Sequence, residues 1–266
     1  MVRSLWTGAS GMTGQQANVD AISNNLANVN THGYKKQRVD FEDLLYQTVK
    51  VAGTPATEDT VVPVGVQMGH GVKVADTQRV FTQGSLQETS VSTDMAIAGE
   101  GFFRIQMYDG SWAYTRNGNF KVDSDGRMVT SNGYWLLPDI IMPEGFLPER
   151  ITITQDGRVS VMVPTINLND PVDVGRIELY RFPNPVGLSS VGENLFKVTQ
   201  ASGDPIPGRP GFEGMGTIAH KFLEMSNVAI VQEMVNLIVA QRAYEFNSRT
   251  IQTSDNMLGT ATSLKR

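Results

Sequence analysis

Between Ser4 and Asn30, apolar side chains recur at strict seven-residue spacing: Leu5, Met12, Val19 and Leu26, with Ile22 and Val29 three residues after the last two. The pattern predicts one helix of roughly 40 Å carrying a narrow apolar seam. Asn28, Asn30 and Gly33 suit turn and C-cap geometry and mark its expected end. Toward the other terminus, Ile230, Leu237, Tyr244, Ile251 and Leu258 keep the same period, and Val228, Val231, Val235 and Ile238 widen the apolar face. Asn227 is the expected N-cap of this second helix. A periodic run of that length, free of internal proline, predicts coiled-coil-like pairing rather than an ordinary globular helix.

Between the helices the punctuation is that of β structure. Asp109-Gly110, Asn117-Gly118, Asp125-Gly126 and Asn132-Gly133 follow one another at short, regular intervals. Each pair takes the positive φ of a tight hairpin turn at little cost. The segments between them, FFRIQMY, SWAYTR, NFKVDS, RMVTS and YWLLP, are rich in β-branched and aromatic residues, and a further hairpin is expected at Asp156-Gly157. Lys50–Gly71 and Ser202–Gly216, loaded with Pro and Gly, read as connectors, the second without regular structure. The expected class is therefore α+β, with long N- and C-terminal helices pairing as an inner domain and an all-β domain of hairpins inserted between them. Residues 1–45 and 222–266 supply the helices, 46–78 an extended or β connector, and 79–221 the β domain.

Charge sharpens this picture. Asp20 is the one ionised side chain between Ser4 and Asn30; the polar side of that helix is Asn, Gln, Ser and the glycines Gly8, Gly11 and Gly14. A helix facing water normally carries Lys, Glu or Arg on its wet side. Small neutral residues suit a helix enclosed by protein, since they bury without the penalty of charge. Interior glycines cost ~1 kcal/mol each, so the helix is expected to be loose alone and ordered on assembly.

The 266-residue chain has a net charge of −5 and no cysteine. The acidic balance argues against nucleic acid as a partner. Disulfides, thiolate nucleophiles and Cys-ligated metals are excluded. Neither a cleaved signal peptide nor direct membrane insertion is expected, because no apolar run has the length. His32, His70 and His220 stand in unrelated contexts and are read as solvent-facing; no catalytic, metal or cofactor constellation emerges, and no cofactor is expected. Asp123-Ser124-Asp125-Gly126 opens like a calcium loop, but Arg127 stands at its fifth position, so it is read as a hairpin turn. Lys35, Lys36 and Arg38 read as a solvated basic cluster.

Two long stretches carry a resemblance. Ile22 to Gln37, ISNNLANVNTHGYKKQ, closely resembles the N-terminal signature of bacterial flagellar axial proteins, those of the rod and hook. Glu224 to Leu258, EMSNVAIVQEMVNLIVAQRAYEFNSRTIQTSDNML, resembles the matching C-terminal signature. FEDLLYQT at Phe41–Thr48, QGSLQET at Gln83–Thr89 and the stretch Ala96–Phe120 are similar to the distal-rod branch, so the resemblance spans essentially the whole chain.

It implies a structural, non-enzymatic subunit that polymerises helically into a hollow shaft. That shaft carries motor torque to the hook and passes exported subunits, and it crosses the periplasm as part of the basal body. Implied partners are further copies of the chain, proximal rod proteins, the hook protein, envelope ring (bushing) proteins and the flagellar type III export apparatus. Export would leave no cleaved signal. By position, 46–78 would be a rod-stiffening element.

Assembly contacts are then expected from Leu5, Met12, Val19 and Leu26 on one helix and Ile230, Leu237, Tyr244, Ile251 and Leu258 on the other, with Asn24, Asn25 and Asn28 hydrogen-bonding between subunits. Alternatives are a proximal rod or hook protein, or a secreted glycan-binding β domain using Trp112, Tyr134 and Trp135; hairpin aromatics are usually core, which speaks against the last. A cell-wall hydrolase would need paired carboxylates or a metal signature that the sequence lacks.

Overall fold

The computed structural model describes residues 2–53, 55–57, 60–61, 63–163 and 171–264. Positions 54, 58, 59 and 62 of the expected connector, 164–170 of the expected β domain, and residues 1, 265 and 266 lie outside them. The architecture is α+β: long helices α1 (Val2–Ala27) and α2 (Ile230–Ser263) near the two ends, and many short strands in small antiparallel sheets between them. The chain divides into two compact units. One comprises Met1–Ala27, Gln37–Arg79 and Ala229–Arg266; the other, Asn28–Lys36 and Val80–Val228.

In the first unit α1 packs on α2 and on a ribbon in which Gln37–Asp43 pairs with Val72–Arg79. Asn25 ties α1 to that ribbon. Its amide donates to the Gln37 carbonyl and accepts from the Gln37 N–H, both at 2.8 Å, imitating a backbone pair. The stretch between the ribbon strands holds further β pairings: Gln47–Lys50 pairs with Val66–Met68, and Pro55–Thr57 with Thr60–Val61. No clear period announced these pairings.

The second unit is built on a seven-stranded antiparallel sheet in the order Phe120–Val122, Met128–Thr130, Trp135–Leu137, Phe103–Gln106, Trp112–Thr115, Leu195–Lys197, Ser189–Gly192. Alternation along the strands sends Phe103, Ile105, Ala113 and Leu136 into the larger core, with Met95, Ile97, Phe120 and Ile151. Tyr114 and Phe196 belong to a smaller aromatic core of edge-to-face rings with Phe102, Tyr180 and Phe182. Gly110, Gly126, Gly133 and Gly157 all take positive φ at the expected hairpins.

Three expectations change here. Asn117-Gly118 is not a hairpin turn, because Trp112–Thr115 and Phe120–Val122 pair with other strands. Gly118 serves close approach instead: a Cβ there would lie 1.5 Å from the Met95 carbonyl oxygen. Ser202–Gly216 contains a strand, Ile206–Gly208, paired with Leu179–Arg181. The N-cap of α2 is Ala229, without a side-chain hydrogen bond. Asn227 instead accepts from the Lys36 N–H at 2.8 Å and donates to the Val80 carbonyl at 2.7 Å, stitching three separate stretches of the β unit together.

Candidate functional site

The helical unit offers a surface. Where α1 and α2 touch most closely, the side chains are small. A Cβ on Gly8 would sit 2.9 Å from Ile251 Cγ1, and one on Gly11 would sit 2.7 Å from the Asn247 side chain. Ser4 Oγ and Ser254 Oγ share a hydrogen bond of 2.9 Å. On α2 the buried positions are Glu233, Ala240 and Ser254, which with Asn247 repeat every seven residues. Three interior glycines are poor helix formers, yet two of them let the helices approach to within a side chain's width. Gly14 does the same toward Phe41 of the ribbon, 3.2 Å from a built Cβ. Glycines at three-residue spacing were the sequence signal for this face; a search for large apolar residues passes over it.

The expected seam falls beside this line. Leu5, Met12, Val19, Leu26, Leu237, Ile251 and Leu258 are half-buried, while Ile230 and Tyr244 are exposed. Ile251 is brought against α1 at Gly8, within one chain. Asn24 lies on the exposed side of α1 and Asn28 is half-buried, accepting from Thr31 Oγ1 at 3.1 Å. Asn25 is 2% exposed, with its amide paired to the Gln37 backbone of its own chain. The first half of α2 leaves Val231, Met234, Val235, Ile238 and Val239 uncovered, Val231 by 77%. That spacing makes one continuous apolar face.

The β unit holds a buried ionic cluster where sequence reading expected a solvated lysine. Lys35 is 0% exposed, and its Nζ donates to Glu224 Oε1 at 2.6 Å and to the Thr82 carbonyl at 2.8 Å. Glu224 Oε1 also accepts from the Gly84 N–H, and Oε2 accepts from Arg116 Nε at 3.1 Å. Arg116 Nη1 completes the cluster on the Gly99 and Gly101 carbonyls. Burial holds the Lys35 ammonium below the usual lysine range despite the attraction of Glu224, and Arg116 adds repulsion. Gly33, at φ +70°, donates its N–H to the Glu224 carbonyl at 2.8 Å; a Cβ there would strike the Asn117 backbone at 2.6 Å. The two signature stretches thus meet inside the β unit through Gly33, Lys35 and Glu224.

The histidines also depart from expectation, since His70 is exposed but His32 and His220 are half-buried. His220 Nε2 lies 2.8 Å from the Ser92 carbonyl, and burial lowers its pKa. Among the described residues no group of three or more His, Cys, Asp or Glu could hold a metal ion, and no helix is long and apolar enough to cross a membrane.

Three stretches match known families. Residues 5–35 match one described as flagella basal body rod protein. Residues 96–161 match the flagellar hook protein FlgE/F/G D1 domain, and 219–264 the flagellar basal body rod FlgEFG protein C-terminal region. The flagellar basal-body rod protein FlgG of Borreliella burgdorferi is 59% identical over 266 residues, all of both chains. The protein of the same name from Bacillus subtilis is 39% identical over 272 positions, again covering both chains. The flagellar hook protein FlgE of Helicobacter mustelae is 44% identical over 145 residues, 53% of this chain and 32% of the relative.

Proposed function

The chain belongs to the FlgG family of flagellar basal-body rod proteins, and from that premise we propose that its paired terminal helices polymerise with those of neighbouring copies to build the rod. Members are structural subunits and not enzymes; this one is a rod component of the basal body that self-assembles and associates with other axial components. Full-length identity to rod proteins sets aside a glycan-binding primary role.

The observation that carries the reading is the uncovered apolar face of Val231, Met234, Val235, Ile238 and Val239. Each such side chain gains ~1.5–3 kcal/mol on full burial, so this face favours a protein neighbour over water. The half-buried seam, with Leu5, Met12, Val19 and Leu26 against Leu237, Ile251 and Leu258, pairs the helices in coiled-coil fashion, and the outer stripe meets the next copy. Head-to-tail contacts that do not close a ring generate an open helical array, hence a hollow shaft able to transmit torque and pass exported subunits. Proximal rod proteins and the hook protein cap the two ends of this array, ring proteins surround it, and the flagellar type III export apparatus delivers its subunits. The β pairings within 46–78 stiffen the rod, as their packing beside α1 supports: the Arg3 side chain bonds Gln47 and Met68, and the Val72 N–H donates to Ser10 Oγ at 3.3 Å.

The test is Ile238→Asp. The purified variant keeps the wild-type melting curve, because the position is exposed, while cells carrying it fail to swim and make no hook-bearing rod. Normal swimming would sink the assignment.

A further inference from the structure

The structure assigns a second surface to the β unit: a carboxylate-bearing glycan strand binds across the solvent face of its large sheet, on Trp112, Gln106 and Trp135. These three are direct cross-strand partners, Trp112 opposite Gln106 and Gln106 opposite Trp135, so they form one row over three strands. Their strand neighbours Ala113, Ile105 and Leu136 are fully buried, which puts the row on the face away from the main core. Aromatics here were expected in the core, yet Trp112 is 55% and Trp135 40% exposed. Two strand spacings place their backbones about 10 Å apart, with a carboxamide between them. Tyr134 points the other way, half-buried against Tyr108 and the core, and takes no part.

The row is also cationic on an acidic chain. The Arg104 guanidinium stacks between the rings of Trp112 and Tyr180, at 5.0 and 4.5 Å, and the Arg127 guanidinium stacks on Trp135 at 5.0 Å. Lys121 continues the row beyond Trp135, through Val129. Among the described residues none of these three cations forms an ion pair. Arg104 Nε is buried without a hydrogen-bond partner, and so is the hydroxyl of its cross-strand neighbour Tyr114. An arginine held by stacking alone keeps its fork of donors for an incoming planar anion, and a carboxylate fits that fork.

A peptide suits the site less well. The row runs across the interior of the sheet, where the flanking strands already occupy the backbone groups that strand addition would need. Flat indoles flanking a carboxamide instead match the apolar faces and hydroxyl rims of successive sugar rings, with the guanidiniums reading carboxylates along the strand.

Titration calorimetry of the full chain decides the matter with three probes: peptide-free peptidoglycan glycan strands, which carry lactyl carboxylates; chitohexaose, which is neutral; and poly-glutamate. Strands should bind more tightly than chitohexaose. Trp112→Ala and Trp135→Ala should each weaken strand binding about tenfold with unchanged melting curves, and Trp112→Phe should recover much of the loss. Arg104→Gln should weaken strand binding about tenfold and leave chitohexaose within about twofold. Absence of strand binding by the wild type, or equal binding by the tryptophan variants, overturns the proposal. Competition by poly-glutamate as effective as by strands overturns it too, because the patch would then read charge alone.

Discussion

The two units of this chain solve burial in opposite ways. The β unit closes largely on itself: a large core covers one face of its sheet, a smaller aromatic core covers part of the other, and even its charged cluster of Lys35, Glu224 and Arg116 is sealed from water. The helical unit puts glycine, alanine and serine at its tightest contact and leaves Val231, Val235, Ile238 and Phe246 in solvent. The β unit builds its core from its own large residues. A unit that puts small residues at its helix contact and keeps several large apolar ones in solvent leaves apolar surface for a neighbour.

The contrast breaks or sharpens under four measurements. The largest effect belongs to Glu224→Gln, which strands two buried cations and should cost the β unit ~3–5 kcal/mol in urea denaturation. A loss below ~1 kcal/mol would mean that the cluster is not sealed. Next is Gly8→Leu, which forces α1 off Ile251 and should cost ~1–3 kcal/mol by overpacking. That loss should appear in the helical far-ultraviolet dichroism while the near-ultraviolet transition of the β unit stays in place; a joint shift would dissolve the distinction between the units.

Asn227→Ala should destabilise the β unit by ~1–3 kcal/mol through unpaired backbone groups. It should leave helix content unchanged, whereas an N-cap role would reduce it.

The smallest effect concerns His220. Its folded pKa lies below the ordinary value because of burial, with Lys221 adding repulsion and the Ser92 carbonyl opposing. The unfolded chain therefore takes up the proton first, so stability is level above about pH 6.5 and falls as pH drops through that value. Asp94, raised chiefly by burial, has the opposite sign at lower pH, where its protonation favours the fold. Melting temperature should fall by about 1–3 °C between about pH 7 and pH 5.5, and His220→Gln should remove the fall.

Much of this architecture is legible in the sequence because it is local. Heptad spacing revealed both helices, and glycine pairs located the hairpins at Gly110, Gly126, Gly133 and Gly157. What stayed hidden depends on distant partners. Lys35 looks solvated until Glu224, 189 positions later, arrives beside it. Asn227 looks like a cap because its real partners, Lys36 and Val80, are far away in sequence. The closest helix contact was missed because residues without side chains leave no apolar pattern. Trp112 and Trp135 looked like core because hairpin composition does not say which face of a sheet remains open.

The ionic cluster also sets a timetable. A polypeptide emerges from synthesis amino-terminus first, so Lys35 and Arg116 are both present long before the carboxylate that neutralises them. Until residue 224 follows, two cations destined for a dry interior have no counterion, and sealing that interior early would be heavily penalised. The middle of the molecule thereby gains its full stability only once residue 224 has joined it.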